Sequence, residues 1–287
     1  MKNFIFWSII VGVVIGIGIL IYFQYKGTLM DIEQRRFGTK EETKKKKAEL
    51  TIITVFDNYL PAENSAISLK TGWGFACLVK IGERNILFDT GADGETLLGN
   101  MNKLKIEPRD INIVVLSHIH QDHTGGLSDF LKQNNQVKVY LGKSFPSDFK
   151  NGVVSIGAEI IEMNKPVEIL ESVYSTGELG TAIKEQSLVI KTDKGLVIIT
   201  GCAHPGVVNI VKKAKELIGK NVYLVIGGFH LSDADDSELM SIISDFKKLG
   251  VEKAAPCHCS GDRCRELFKK EYKDDFIENG VGKIIKI

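Results

Sequence analysis

Residues 117–126 read Ser-His-Ile-His-Gln-Asp-His-Thr-Gly-Gly, and they place three imidazoles and one carboxylate in six positions, His118 to His123. Just before them, Asn112-Ile113-Val114-Val115-Leu116 is a short β-branched apolar run of the kind that forms a buried strand, so the cluster sits where a strand gives way to a loop. His118 and His120, two apart on an extended backbone, point the same way and can bind one ion. Asp122 and His123 lie past the turn and can reach a second. The chain has only six histidines. The other three, His204, His230 and His258, also follow apolar strand-like runs and stand beside glycine, proline or cysteine. Scattered structural histidines have no reason to recur in that setting, so the segment reads as a metal site.

Outward from this segment, short β-rich runs alternate with glycine-bearing turns. Strands are expected at 50–56, 75–79 and 85–88, as antiparallel neighbours. Helical spacing follows over 97–104 and over 122–131, the latter opening directly out of the histidine cluster. Further strands are expected at 137–141, 186–192 and 196–200, the last two joined by the tight Asp193-Lys194-Gly195 turn. Residues 207–218 read as a helix, 222–226 as a strand and 236–249 as a helix. Two groups of strands, each with its helices, predict an α/β protein with two facing sheets and helices outside. No repeat of solenoid period is visible.

The chain has 287 residues, 44% of them hydrophobic, which leaves one domain of about 240 residues once the N-terminus is set aside. A formal charge of +1, from 37 basic and 36 acidic side chains, gives no global sign of a nucleic-acid partner. Residues 4–23 carry no charge, and twenty residues at ~1.5 Å each match a bilayer core of about 30 Å. They are expected to form a transmembrane helix, with Trp7 and Tyr22 as interfacial anchors. The following Gln24-Tyr25-Lys26 offers no small-residue cleavage site for a signal peptide. Only Lys2 and the α-amine precede the span, whereas Lys26, Arg35, Arg36, Lys40 and Lys44 to Lys47 follow it, so the domain is expected to face the cytoplasm. The organisation expected is therefore an anchor over 1–26, a charged tether over 27–48 and a catalytic domain over 49–287. Five cysteines, an odd number, do not suggest a secreted disulfide framework.

Phe88-Asp89-Thr90-Gly91 puts a carboxylate at a buried strand end, where it needs a partner. The histidine cluster can supply one, because an aspartate can ligate a metal or accept the second N–H of a ligating imidazole. Asp89, His118-Ile119-His120-Gln121-Asp122-His123 and the later strand-end histidines, in this order, resemble the metallo-β-lactamase superfamily over residues 49–287. Thr200-Gly201-Cys202-Ala203-His204-Pro205-Gly206, Gly227-Gly228-Phe229-His230-Leu231 and Pro256-Cys257-His258-Cys259 resemble its branch labelled dihydropterin-methyl-ribofuranosylaminobenzene-phosphate synthase. The resemblance implies an αββα sandwich with its site along one sheet edge. It further implies that His118, His120 and His204 hold a first metal, and Asp122, His123 and His258 a second. Asp89 would support the ligands from behind. Cys202 stands where the superfamily places a bridging acid, with His204 two residues on, which leaves open whether Cys202 or His204 ligates. His230 is a candidate to bind phosphate or donate a proton, and Arg263 to grip a substrate anion.

Two neighbouring divalent ions activate water and stabilise charge on an attacked or departing oxygen. Nitrogen and oxygen donors put zinc first, with manganese or iron next. The expected function is a metal-dependent hydrolase, with Asp122 and His230 as catalytic residues. Its substrate is a small molecule bearing phosphate, cleaved at a phosphoester or condensed with loss of pyrophosphate as the branch implies. The alternative is a membrane-tethered sensory module that keeps the metals without turnover.

Overall fold

The computed structural model describes residues 49–287, together with Gln24 and Lys26. Contacts divide the chain into Met1–Lys47 and Ala48–Ile287. The membrane span expected at residues 4–23 and the tether up to residue 48 lie outside the described residues, apart from Gln24 and Lys26. Among the described residues, no helix is long and apolar enough to cross a membrane.

Among the described residues, thirteen strands form two sheets. They are β1 (Leu50–Phe56), β2 (Ala76–Ile81), β3 (Arg84–Phe88), β4 (Ile113–Val115), β5 (Lys138–Gly142), β6 (Glu159–Met163), β7 (Val167–Leu170), β8 (Val173–Ser175), β9 (Leu188–Lys191), β10 (Leu196–Thr200), β11 (Val222–Gly228), β12 (Val251–Cys257) and β13 (Ile284–Lys286). The first sheet runs β13-β1-β2-β3-β4-β5-β6 and the second β12-β11-β10-β9-β8-β7. Strands β1, β2 and β3 pair antiparallel, as expected, and β3 to β6 pair parallel. In the second sheet β10, β11 and β12 are parallel, and β9 returns antiparallel to β10 through the Asp193-Lys194-Gly195 turn.

The helices are α1 (Gly94–Lys103), α2 (Gln121–Thr124), α3 (Leu127–Gln133), α4 (Ser147–Ser155), α5 (Val207–Ile218), α6 (Asp236–Lys248) and α7 (Asp262–Tyr272). Three buried clusters define four layers. Ile52, Val79, Phe88 and Val115 of the first sheet pack on Leu188, Val197, Ile199 and Ile226 of the second. Leu97, Met101, Leu127 and Phe130 of α1 and α3 cover the outer face of the first sheet. Ile210, Val211, Leu239, Phe246 and Phe268 of α5, α6 and α7 cover the second. Both faces of the central strands are therefore buried, which is why they read as continuous apolar runs and not as alternations. The result is the expected αββα sandwich.

One expected element is corrected. Residues 122–131 do not form one helix, because Gly125 and Gly126 separate α2 from α3. A Cβ at Gly125 would lie 1.9 Å from the Ala92 carbonyl oxygen, and one at Gly126 would lie 2.2 Å from that of Thr90. The chain breaks there because two backbones touch.

Parallel register sets the position of the site. Thr200 pairs with Gly227, and Gly228 with Cys257, so the C-terminal ends of β10, β11 and β12 lie side by side. The C-terminal end of β4 meets them from the other sheet, where Gln186 donates its backbone N–H to the Ser117 carbonyl at 2.9 Å. Chemistry can collect on such an edge, since loops there are held by a rigid scaffold.

Candidate metal centre

The first rim is the segment after β4. Asp89, fully buried with a left-handed φ of 57°, organises it. Its carboxylate accepts the Ser117 backbone N–H and the Ser117 hydroxyl, each at 2.7 Å, and lies 2.7 Å from His123 Nδ1. Ser117 Oγ in turn lies 2.9 Å from His118 Nδ1. Asp89 thereby fixes two imidazoles from behind, the supporting arrangement expected of a carboxylate that orients ligands. The His123 carbonyl accepts the Thr90 N–H at 2.8 Å, which ties the turn down.

The second rim depends on Glu185, a buried side chain. Its carboxylate accepts the backbone N–H groups of Gly201, Cys202, Ala203 and His204 at 2.8 to 3.1 Å. Those four donors have no strand partner, and the glutamate shapes the turn that carries Cys202 and His204. Burial raises Glu185 to about 7, while the Ala203 and His204 N–H groups pull the other way. Gly201 is required where the rims meet, as a Cβ would sit 2.1 Å from Ser117 Oγ. Asn58 steadies His258 through a 3.3 Å contact to its Nδ1. Ala203, His230 and His258 share the left-handed φ of Asp89, so non-glycine strain gathers at this edge.

Two ligand groups result. In one, the rings of His118, His120 and His204 stand 4.7 to 4.9 Å apart, centroid to centroid, and candidate donor atoms of His118, His120 and Asp122 lie within 4.8 Å of one another. In the other, Asp122 Oδ2 lies 3.2 Å from His258 Nε2 and 3.6 Å from His123 Nε2. Cys202 Sγ sits between them, 3.1 Å from His123 Nε2 and 3.3 Å from His258 Nε2. Candidate donor atoms of Asp122, His123, Cys202 and His258 fall within 4.8 Å of one another, as do those of His118, Cys202 and His204. Both Cys202 and His204 thus offer a candidate donor beside His118, and Cys202 also lies within reach of Asp122, His123 and His258.

These residues suit divalent cations. His118 Nε2 and His204 Nε2 are buried without a hydrogen-bond partner, a costly state for a polar atom and the lone-pair geometry a metal uses. Burial and the surrounding imidazoles hold His118 far below its ordinary pKa, so it presents a neutral donor. Burial disfavours charge on His123 too, yet Asp89 outweighs it and raises the ring to about 8. Asp122 falls to about 2 despite burial, chiefly through His258. Asp89 and Asp122 favour positive charge at His123, whereas burial and neighbouring imidazoles disfavour a proton on His118 and His204.

His230 lies outside both groups, on the wall of an open cleft of about 510 Å³, its ring 4.3 Å from that of His204. Arg263 does not reach the cleft. It is half-exposed on α7, its guanidinium on Asp236 at 2.8 Å and on Glu266 at 3.1 Å, so the expected anion grip is occupied by a surface ion pair. Sequence reading passed over Glu185 and Asn58, which carry no motif, and Trp73, 58% exposed beside His258 at the mouth of the cleft. Cys259, also on the cleft wall, was not singled out by sequence reading.

A family model for the metallo-beta-lactamase superfamily matches residues 74–208. A 7,8-dihydropterin-6-methyl-4-(beta-D-ribofuranosyl)-aminobenzene-5'-phosphate synthase of Methanocaldococcus jannaschii is 32% identical over 284 residues, covering 83% of this chain and 96% of that one. A crystal structure of a metal-dependent hydrolase of the beta-lactamase superfamily superposes with a TM-score of 0.68 at 28% identity, over 83% of this chain and 99% of the other. The metallo-beta-lactamase fold protein YhfI of Bacillus subtilis gives 0.62 at 14% identity, over 83% of this chain and all of its own, a likeness of fold alone. With the two-sheet sandwich and the histidine-acid edge in place, the chain belongs to the metallo-beta-lactamase superfamily.

Proposed function

We propose that the protein is a dinuclear metal-dependent enzyme acting on a small molecule that bears phosphate, by phosphoester hydrolysis or by condensation with loss of pyrophosphate. The observation that carries this reading is the pair of ligand groups meeting at Cys202, with His118 Nε2 and His204 Nε2 buried and unpartnered. His118, His120 and His204 would hold one ion and Asp122, His123 and His258 the other, zinc being the best fit to these donors and manganese or iron next. When bound, such a pair supplies Lewis acidity toward phosphoryl oxygens and a water of lowered pKa.

The remaining work falls to the chain. Asp89 and Glu185 keep both rims fixed, so the groups need no rearrangement as a substrate arrives. His230 has its pKa raised by its hydrogen bond to Cys259, against the effect of burial. It stands on the cleft wall in reach of a phosphate oxygen or a departing one. Trp73 offers a flat apolar face at the mouth, suited to a substrate ring. The M. jannaschii relative's name supports a pterin-linked phosphate compound.

The same proposal keeps the chain on a membrane through residues 4–23, with the catalytic domain on the cytoplasmic side, supported by the uncharged run and the basic residues after it. The test uses the full chain in detergent, loaded with zinc or manganese. It is offered a phosphodiester and phosphomonoester panel, and a pterin diphosphate with a ribosylaminobenzene phosphate. Release of phosphate, alcohol or pyrophosphate is expected. An active preparation that turns over lactams or thioesters and none of these phosphate compounds would contradict the reading.

A further inference from the structure

The geometry points to a third cation position, rich in thiolate, formed by Cys202, His230 and Cys259 on the cleft wall. One donor atom from each of the three falls within 4.8 Å of the others. His230 and Cys259 belong to neither of the ligand groups already described, and only Cys202 is shared. Thiolate sulfur carries more than one lone pair and can serve two cations at once.

The frame around these three residues is rigid. Each comes from the end of a different parallel strand, and backbone bonds lock those ends together: Gly228 N–H to the Gly201 carbonyl at 2.9 Å, and Leu231 N–H to the Cys259 carbonyl at 3.2 Å. Cys259 Sγ lies 3.6 Å from the Cys202 carbonyl oxygen. Gly228 leaves the room that the sulfur fills, since a Cβ there would stand 2.7 Å from Cys259 Sγ and 3.2 Å from Cys202 Cα. His230, with φ at 55°, brings a donor of its exposed ring within 4.8 Å of the sulfur atoms of the two buried cysteines. Both cysteines are free thiols. A Cys-His-Cys set selects a soft or borderline ion, such as zinc, cobalt or cadmium, over magnesium or calcium. The other two groups, dominated by imidazole and carboxylate, are less selective.

Cation number tests this, whichever phosphate compound the enzyme turns over, so failure here leaves the proposed activity standing. The full chain is stripped with chelator, kept reduced with a phosphine, and titrated with cobalt(II) while bound metal and sulfur-to-cobalt absorption are followed. The wild type should take a third equivalent, and that addition should raise the thiolate absorption. Cys259→Ser, close in size to the native residue, should stop at two equivalents and lose that rise. His230→Ala, which changes an exposed ring and does not threaten folding, should weaken the third equivalent by at least ~10-fold. A wild type that saturates at two, or variants that keep the third with unchanged absorption, would overturn the inference.

Discussion

On the rim of the first sheet, His118, His120, Asp122 and His123 come from one short segment after β4. The second sheet instead supplies Cys202 with His204, then His230, then His258 with Cys259, from the ends of three strands far apart in the chain. The first rim is held by one buried carboxylate, Asp89, touching the Ser117 and His123 side chains and the Ser117 backbone N–H. The second is held by parallel register and by Glu185 touching backbone. Local sequence therefore decides the first rim, whereas tertiary pairing decides the second, and substitutions on the two rims should fail in different ways.

Removing a donor from the first rim should have the largest effect. His118→Ala deletes a neutral, unpartnered imidazole from the triad. It should abolish turnover and lose one cation per chain, with a deficit exceeding the ~100-fold seen when only a supporting residue goes. Elemental analysis beside turnover checks both. Asp89→Asn comes next: it leaves every donor in place but frees His123 and Ser117, and should cost ~10–100-fold in metal affinity, read by competition with a chelating dye. Unchanged affinity would mean that the strand, and not Asp89, orients the ligands.

Glu185→Gln tests the second rim. An amide turns one acceptor into a donor facing backbone N–H groups, so the fold should lose about 1–3 kcal/mol in denaturant titrations. Its effect on Cys202 and His204 should exceed its effect on His118 and His120, visible as imidazole shifts in NMR spectra.

The smallest effect concerns Asp57, buried with Oδ2 unpartnered and raised by that burial to about 6 from 3.8. A carboxyl whose folded pKa lies above its unfolded value favours the fold only while protonated. In metal-free protein its contribution should therefore fall as pH rises from about 4 to about 6, and then stay level. Asp57→Asn should flatten that slope and leave the metal-free protein more stable by on the order of 1–3 kcal/mol at pH 8. An identical pH profile in the variant would remove Asp57 from the account.

The same contrast explains what was legible in the sequence. Strands such as β1 and β10, and α5, are continuous apolar or periodic runs, so their bounds could be read within a residue or two. The weaker elements α4, β6, β7 and β8 are short, partly exposed and shaped by their neighbours, and β12 carries a charge pair and a proline within Val251–Cys257. The donors announced themselves because imidazoles at strand ends are rare. Glu185 did not, because a glutamate that accepts backbone N–H groups sixteen to nineteen residues away leaves no local pattern. Arg263 misled for a related reason: its partner Asp236 lies on another helix. Cys202 was ambiguous in one dimension, and the folded chain brings its sulfur near donors from both rims.

An anomalous-scattering map from crystals of the zinc-loaded full chain tests the central claim most directly. It should contain at least two metal peaks, ~3.5–4 Å apart. One should be bounded by His118, His120 and His204, the other by Asp122, His123 and His258, with Cys202 between them. A single peak, or peaks remote from these side chains, would contradict the dinuclear centre.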